Sequence, residues 1–482
     1  MRTIKDCYMK SIIKGFILSM TFLLASVQIG AQTPFMPNDP YFQYQVPLHN
    51  TGQTIDDPDP LLPPHTGTPD ADIDLPEAWF FTMGHESVVI AVIDDGVSPN
   101  HPDLPSSRLV QGWNMSDYSH NTTPVGNEAH GTAIAGVIAA TANNGKGIAG
   151  VAPNCKIMPI VIDINTPRHI INAINQATIC GVDVINLSVG VVNEGNDTYF
   201  LRDLESAIRN AINHGIVVVV AAGNTADHVS GGNGYVDMVA SFDIPGLLVV
   251  GASDRYDLQS DYSPSSEYIS VVAPSSRAVY PTTVGSSSHI VGIAGEYSDM
   301  WVTDIPGNAG YNPCNESGGG FSIGTTNPSS GTDYLAYSGR FGGTSYSCAI
   351  VSGVAALVKC AGFRHHVNGG VFNALSPQDI CGIIKSTADK IGPYNYVNGR
   401  SLETGYGRIN AEKAVWEAQK VSEIRNKLIN YGRTEYCDDI TIENSSVYGG
   451  ELHLRNKGTI AVENYFYVGN NAVFEVKPFA WE

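Results

Sequence analysis

V-V-I-A-V-I-D-D-G-V, Val88 to Val97, sets the reading of this chain. Six apolar residues run unbroken and stop at two carboxylates and a glycine, the pattern of a strand buried on both faces that ends in a turn. Similar runs follow at Ile157–Ile162, Val182–Leu187, Ile216–Ala222 and Leu247–Val250. Between them, His169–Ile179 and Phe200–His214 carry apolar residues at three- and four-residue spacing, the period of one helix face. Strand, helix, strand in repetition implies right-handed crossovers and an α/β fold, a mostly parallel sheet flanked by helices. Ligands of such sheets gather at the carboxyl ends of the strands.

Outward from this core the text changes. Thr33–Asp72 is rich in Pro and Asp and reads as an extended arm laid over a domain. Arg277–Phe341, rich in Gly, Ser, Asn and Tyr, reads as a long surface insertion. Thr344–Cys360 and Pro377–Ala388 read as helices, and Ile440–Glu482 alternates apolar and polar residues in short segments, a small C-terminal β appendage. The expected division is a leader at 1–31, an arm at 32–72, the α/β domain at 73–415 with its insertion at 277–341, and a β-rich region at 416–482.

Arg2, Lys5, Lys10 and Lys14 precede the apolar run Phe16–Val27, and the small residues Gly30 and Ala31 follow. That order is a secretory signal peptide cleaved near Ala31. The run is shorter than the ~20 residues of a bilayer span, so the mature chain is expected to be secreted or at the cell surface, with no membrane span. Among 482 residues, Asp+Glu number 47 against 27 Lys+Arg, a formal charge of -20 that repels phosphate backbones and argues against a nucleic-acid partner. Surplus carboxylate is compatible with calcium, which takes oxygen ligands. Hydrophobic residues at 43% against 15% charged exclude wholesale disorder. Of 8 cysteines, Cys7 leaves with the leader, and the odd remainder requires at least one free thiol. None stands in a C-x-x-C pair, so zinc and redox motifs have no support.

Three residues could carry chemistry together. Asp94 closes a buried strand, where a carboxylate needs a cationic or hydrogen-bonding partner, although an Asp opening a turn before Gly96 is the plainer reading. His130, in H-G-T-A-I-A-G, stands at the start of a small-residue helix, where most histidines are structural. Ser345, in G-G-T-S-Y-S, opens another helix, where serine commonly caps. Taken jointly, they supply a nucleophile, an imidazole base and a carboxylate to orient it. Asn224, ending V-V-V-V-A-A-G-N, adds an amide able to donate to a developing oxyanion.

With these residues in place the chain resembles the subtilisin-like serine protease family from about Pro37 to Val415. The motifs are A-V-I-D-D-G-V followed by H-P-D-L, H-G-T-A-I-A-G, N-N-G-K-G-I-A-G-V-A-P, I-N-L-S-V-G, A-A-G-N and G-G-T-S, in family order. The resemblance implies a serine endopeptidase acting on proteins or peptides. Ser345 would be the nucleophile, His130 the base and then acid, Asp94 the orienting carboxylate, and Asn224 with the Ser345 N–H the oxyanion hole. It implies a substrate-binding role for Ser188, Val189 and Gly190 and for Ala221, Ala222 and Gly223, which would line the S1 pocket and hold the substrate backbone as an added strand.

Two details resemble the kexin and furin branch. The Asp94-Asp95 doublet would turn Asp95 to the substrate's P2 position. P-N-D-P-Y-F-Q-Y-Q, Pro37–Gln45, resembles that branch's N-terminal arm, which implies a structural calcium held by Asp39, Asp103 and Asn144 with main-chain oxygens near Thr141, Lys146 and Ile148. Asn233 stands where that branch has Asp, so cleavage after basic residues is not expected. No room for a large propeptide lies between Ala31 and the arm. A non-catalytic binding or adhesion protein on the same scaffold is the rival reading, which an activated serine would exclude.

Overall fold

The computed structural model describes residues 34–55, 66–190, 198–226, 234–277, 280–284, 287–291, 300–307, 309–311, 335–339, 341–365, 371–373 and 375–419, together with seven strand segments between Ser422 and Pro478. The leader at 1–31 and Asn233 lie outside the described residues. Pro34–Ala418 is one compact unit, and Gln419–Glu482 belongs to another.

In the large unit, seven strands form one parallel sheet. They are β1 (Val89–Asp94), β2 (Trp113–Asn114), β3 (Lys156–Val161), β4 (Val184–Leu187), β5 (Val217–Ala221), β6 (Leu247–Ser253) and β7 (Val271–Pro274), in spatial order β2-β3-β1-β4-β5-β6-β7. Seven helices accompany them: α1 (Leu75–Phe81), α2 (His130–Ala139), α3 (Arg168–Cys180), α4 (Thr198–Asn213), α5 (Gly343–Ala361), α6 (Pro377–Ser386) and α7 (Ala411–Ala418).

The period-2 alternation of a strand divides the core into two layers. Ile90, Val92, Val217, Val219, Leu248 and Val250 face α1, α2, α5, α6 and α7. The intervening Ala91, Ile93, Val218, Val220, Leu247 and Val249 face α3 and α4. Both faces are therefore covered, which is why the strands read as continuous apolar runs. Helix α5 is long and apolar enough to cross a membrane, but it is almost wholly buried against the sheet as a core helix.

Strand order reverses between β1 and β4, so a crevice opens beyond their carboxyl ends, where Asp94 and Ser188 lie. The arm is fastened to the domain. Gln45 exchanges hydrogen bonds with the backbone of Ala149, 2.9 and 2.8 Å, and Tyr41 stacks on Trp301 with ring centroids 4.4 Å apart.

The expectation of a surface insertion at 277–341 needs correcting at several of its described residues. Met300, Val302, Thr303 and Tyr337 are buried, and Thr303 donates from its hydroxyl to Thr132 O in the first turn of α2, 2.6 Å. Little apolar periodicity hid this, because two-residue strands at Val302–Thr303 and Tyr337–Ser338 are too short to show one.

In the C-terminal unit the strands Ser422–Arg425, Leu428–Ile429, Ile440–Val447 and Ile460–Val468 form one sheet. Arg433–Cys437, Glu451–Asn456 and Val473–Pro478 form another. All the pairings are parallel. From Arg433 onward successive strands alternate between the two sheets, so the chain coils instead of folding into hairpins.

Candidate active site

The site is assembled from three element boundaries. Asp94 ends β1, 2% exposed, and both its carboxylate oxygens lie 2.9 Å from His130 Nδ1. That contact depends on Gly131. A Cβ there would fall 2.3 Å from Gly96 O and 2.9 Å from Asp94 Cβ, so only glycine lets the start of α2 approach the end of β1 this closely.

Asp95 directs its carboxylate to the same helix start, accepting from His130 N at 3.0 Å and Gly131 N at 2.7 Å. It thereby satisfies two of the orphan donors of α2 and complements its dipole. Burial and the Asp94 charge push the Asp95 carboxyl up to about 7, against the pull of His130 and the two N–H groups. His130 is raised to about 9. Burial opposes its charge, but the charge and hydrogen bond of Asp94, with a contribution from Asp95, outweigh that. The imidazole is 29% exposed, and Phe341 lies against it with ring centroids 5.4 Å apart.

Ser345 lies in the first turn of α5. Its hydroxyl donates to Ser188 O at 3.0 Å, while Ser188 Oγ donates to Ser345 O at 3.2 Å. Beneath them the buried Asn186 receives Ser352 Oγ at 2.9 Å and donates to Ser188 Oγ at 3.0 Å, fastening α5 to β4. Sequence reasoning passed over Asn186. The signal was an amide inside the apolar strand V-I-N-L, where burial demands partners.

Asn224, beyond β5, accepts the Thr344 N–H on its Oδ1 at 2.9 Å and the Thr344 hydroxyl at 3.2 Å. The amide's oxygen is thus occupied, which leaves Nδ2 as the free donor, 3.0 Å from where a Cβ on Gly343 would stand. Gly343 holds φ +76, and Gly223 sends its N–H to Thr344 Oγ1 at 3.2 Å, closing the loop.

Of the other expected contact residues, Gly190 is exposed, Val189, Ala221 and Gly223 are half-buried, and Ala222 is buried with its N–H given to Val250 O at 2.8 Å. Asp39, Asp103 and Asn144 also come together. Asp39 accepts the Asn143 and Asn144 N–H groups at 2.5 and 3.1 Å. Asp103 accepts Asn144 Nδ2 at 2.8 Å and Ile148 N at 3.1 Å. Thr141 donates its N–H and hydroxyl to Asp103 O, and Lys146 N donates to Asn144 Oδ1. Both carboxylates are almost wholly buried, and among the described residues no lysine or arginine pairs with either.

Comparison with known proteins bears on the fold and the family. Residues 85–407 match the model of the subtilase family. Thermitase of Thermoactinomyces vulgaris is 34% identical over 239 residues, 46% of this chain and 78% of that protein. A calcium-dependent protease of a Nostoc species is 31% identical over 358 residues, 70% of this chain and 47% of the relative. The chain spans about half the length of several curated relatives that it matches. Among solved structures, the serine protease of Aeromonas sobria superposes with a TM-score of 0.63 at 22% identity, covering 83% of this chain and 71% of that one, a likeness of fold.

Proposed function

The chain belongs to the subtilase family, and from that premise we propose that it is an exported serine endopeptidase in which Asp94, His130, Ser345 and Asn224 carry the reaction. The observation that supports this most is the paired 2.9 Å contact of His130 Nδ1 with the buried Asp94 carboxylate. It fixes the tautomer and leaves Nε2 for a proton.

In the reaction the Ser345 hydroxyl turns from Ser188 O toward His130, gives its proton to Nε2 and attacks the peptide carbonyl. The oxyanion settles between Asn224 Nδ2 and the Ser345 N–H. His130 then protonates the leaving amine, and water, activated by the same imidazole, hydrolyses the acyl-enzyme. Asp94 holds the imidazole and stabilises its charged form. Rotation of the serine frees Ser188 O to receive a substrate N–H, so peptide binding and the nucleophile's departure from its resting hydrogen bond are coupled.

In this reading the Asp95 carboxylate reaches a P2 side chain only by giving up its bonds to α2, which disfavours strong selection for basic P2 residues. Export rests on the leader sequence at 1–31.

A structural calcium is part of the same proposal. Asp103 is pushed up to about 7 by burial, against the hydrogen bonds of Asn144, Ile148 and Tyr337, with Asp39 raising it further. Two buried carboxylates with no lysine or arginine partner offer oxygen donors that fit a hard divalent cation, and Asn144 would join them by turning its Oδ1, which here accepts the Lys146 N–H, in place of the Nδ2 given to Asp103. Asp39, Asp103 and Asn144 would hold it, and its charge would clamp the arm to the Asn144–Ile148 loop. The name of the Nostoc relative is consistent with this.

Cleavage of a denatured protein by the purified chain, mapped by mass spectrometry and compared with Ser345→Ala, tests the reading. Internal cuts lost in the variant are expected. Equal cleavage by both would refute it.

A further inference from the structure

The two backbone stretches expected to flank the substrate's P1 side chain, Ser188–Gly190 and Ala221–Gly223, share a neighbour that belongs to neither. Asp237 is tied to the second stretch. Its N–H goes to Ala222 O at 2.7 Å, and its own carbonyl receives Ala240 N at 2.9 Å. One carboxylate oxygen, Oδ1, accepts the Val239 N–H at 3.3 Å and caps the short helix Met238–Ser241, which fixes the side chain. The other oxygen lies toward the first stretch. A Cβ built on Gly190 would stand 3.0 Å from Asp237 Oδ2, and one on Gly223 would stand 3.4 Å from Asp237 Cβ. Both stretches are thus bare of side chains where the carboxylate stands, and Gly223, at φ +98, holds a backbone that other residues rarely adopt.

Burial sets what the carboxylate can do. Asp237 is half-buried and Gly190 exposed, so solvent and solutes reach one side of the group while backbone encloses the other. A cation arriving there meets an attraction that is screened less than at an open surface. Lys and Arg carry such a charge at the end of an apolar stem, and a stem of that kind can lie along bare backbone while its head meets the acid.

We propose that Asp237 determines specificity, selecting substrates with Lys or Arg at P1. This selectivity presupposes the peptidase reading above and names its substrate class. It reverses the expectation drawn from Asn233. The acidic group comes from four residues later in the chain, at a position whose place beside both stretches only the fold reveals. The formal charge of -20 acts in the same direction, drawing cationic peptides to the molecule.

The test pairs a binding measurement with a cleavage map. The full chain carrying Ser345→Ala is titrated by calorimetry with two acetylated tetrapeptide amides, identical except that one ends in Lys and the other in norleucine. The Lys peptide is expected to bind about tenfold more tightly, with the preference shrinking in about 1 M salt. Asp237→Asn keeps an oxygen for the Val239 N–H but removes the charge, and should bring the two peptides within about twofold of each other. In the wild-type chain, cuts mapped in a denatured protein should fall mostly after Lys and Arg. A Lys peptide that binds no better than its norleucine counterpart, whether both bind or neither does, would overturn the proposal. So would a preference that survives in Asp237→Asn, the result expected of a helix cap alone. Cuts that require Ser345 but follow neutral residues would refute the selectivity while leaving the peptidase reading in place. Failure of the peptidase reading has a different signature, cuts that persist in Ser345→Ala.

Discussion

Replacing Gly343 by alanine should perturb the proposed oxyanion site without touching a reacting group. The residue holds φ +76, where a side chain costs about 1–2 kcal/mol. An added Cβ would lie 3.0 Å from Asn224 Nδ2 and 3.3 Å from its Oδ1, closer than an ordinary carbon contact by about 0.5 Å. Oxyanion donors act in a window of roughly 2.7–3.1 Å, so a displacement of that size carries the amide to its edge or beyond. Full loss of the donor costs about 3–4 kcal/mol, a magnitude established for the equivalent amide of subtilisin. Partial displacement should therefore cost about 1.5 kcal/mol, or about tenfold in kcat, with KM nearly unchanged. The assay is kcat and KM on a chromogenic peptide amide, with thermal melting alongside. In an Asn224→Ala background the same alanine should still lower Tm but cost no further kcat, because the donor it disturbs is already gone. Unchanged kcat in the single variant, or losses that simply add in the double one, would refute the reasoning.

Other outcomes follow from the charges. Hydrolysis needs neutral His130, raised to about 9, so kcat/KM should climb with pH on an acid limb well above 6.5. Asp95→Asn should bring that limb down, since the Asp95 charge helps to raise His130, and an unmoved limb would remove Asp95 from the account. Burial raises Asp72 to about 6 and Asp74 to about 7, each also affected by its acidic neighbours. A folded pKa above the unfolded value means that this stabilisation is full below about pH 4 and lost as pH rises through about 6–7. Asp74→Asn, which tolerates the left-handed backbone there, should melt a few degrees higher than the parent at pH 8 and match it at pH 4; the same melting difference at both pH values would disprove this. Chelation of calcium should lower Tm, excess calcium should restore it, and Asp39→Asn should abolish the difference; a Tm indifferent to chelator would count against the metal.

How far the sequence could be read depended on whether a signal was local. The strands were legible because a sheet covered on both faces needs apolar residues at consecutive positions, as in Val217–Val220. Gly131 and Gly343 stood beside His130 and Ser345 in the text, and the close approaches they permit are what the structure displays. Contacts made only by the tertiary fold were not legible. The Ser345 hydroxyl rests on Ser188 O, Asp95 turns to the start of α2, and Asn186 braces α5 from a strand 159 residues before Ser345. Described residues within 277–341 were misread for the same reason: Thr303 and Tyr337 are buried by partners far away in sequence, and nothing in their own neighbourhood announces it.

The central claim, that Ser345 is an activated nucleophile and not a helix cap, is tested most directly by exposing the folded chain to a fluorophosphonate and locating the adduct by mass spectrometry. The account predicts one phosphonylated residue, Ser345, with labelling lost in His130→Ala while that variant still melts cooperatively. No adduct on the folded wild-type chain, or an adduct whose rate is indifferent to His130, would contradict it.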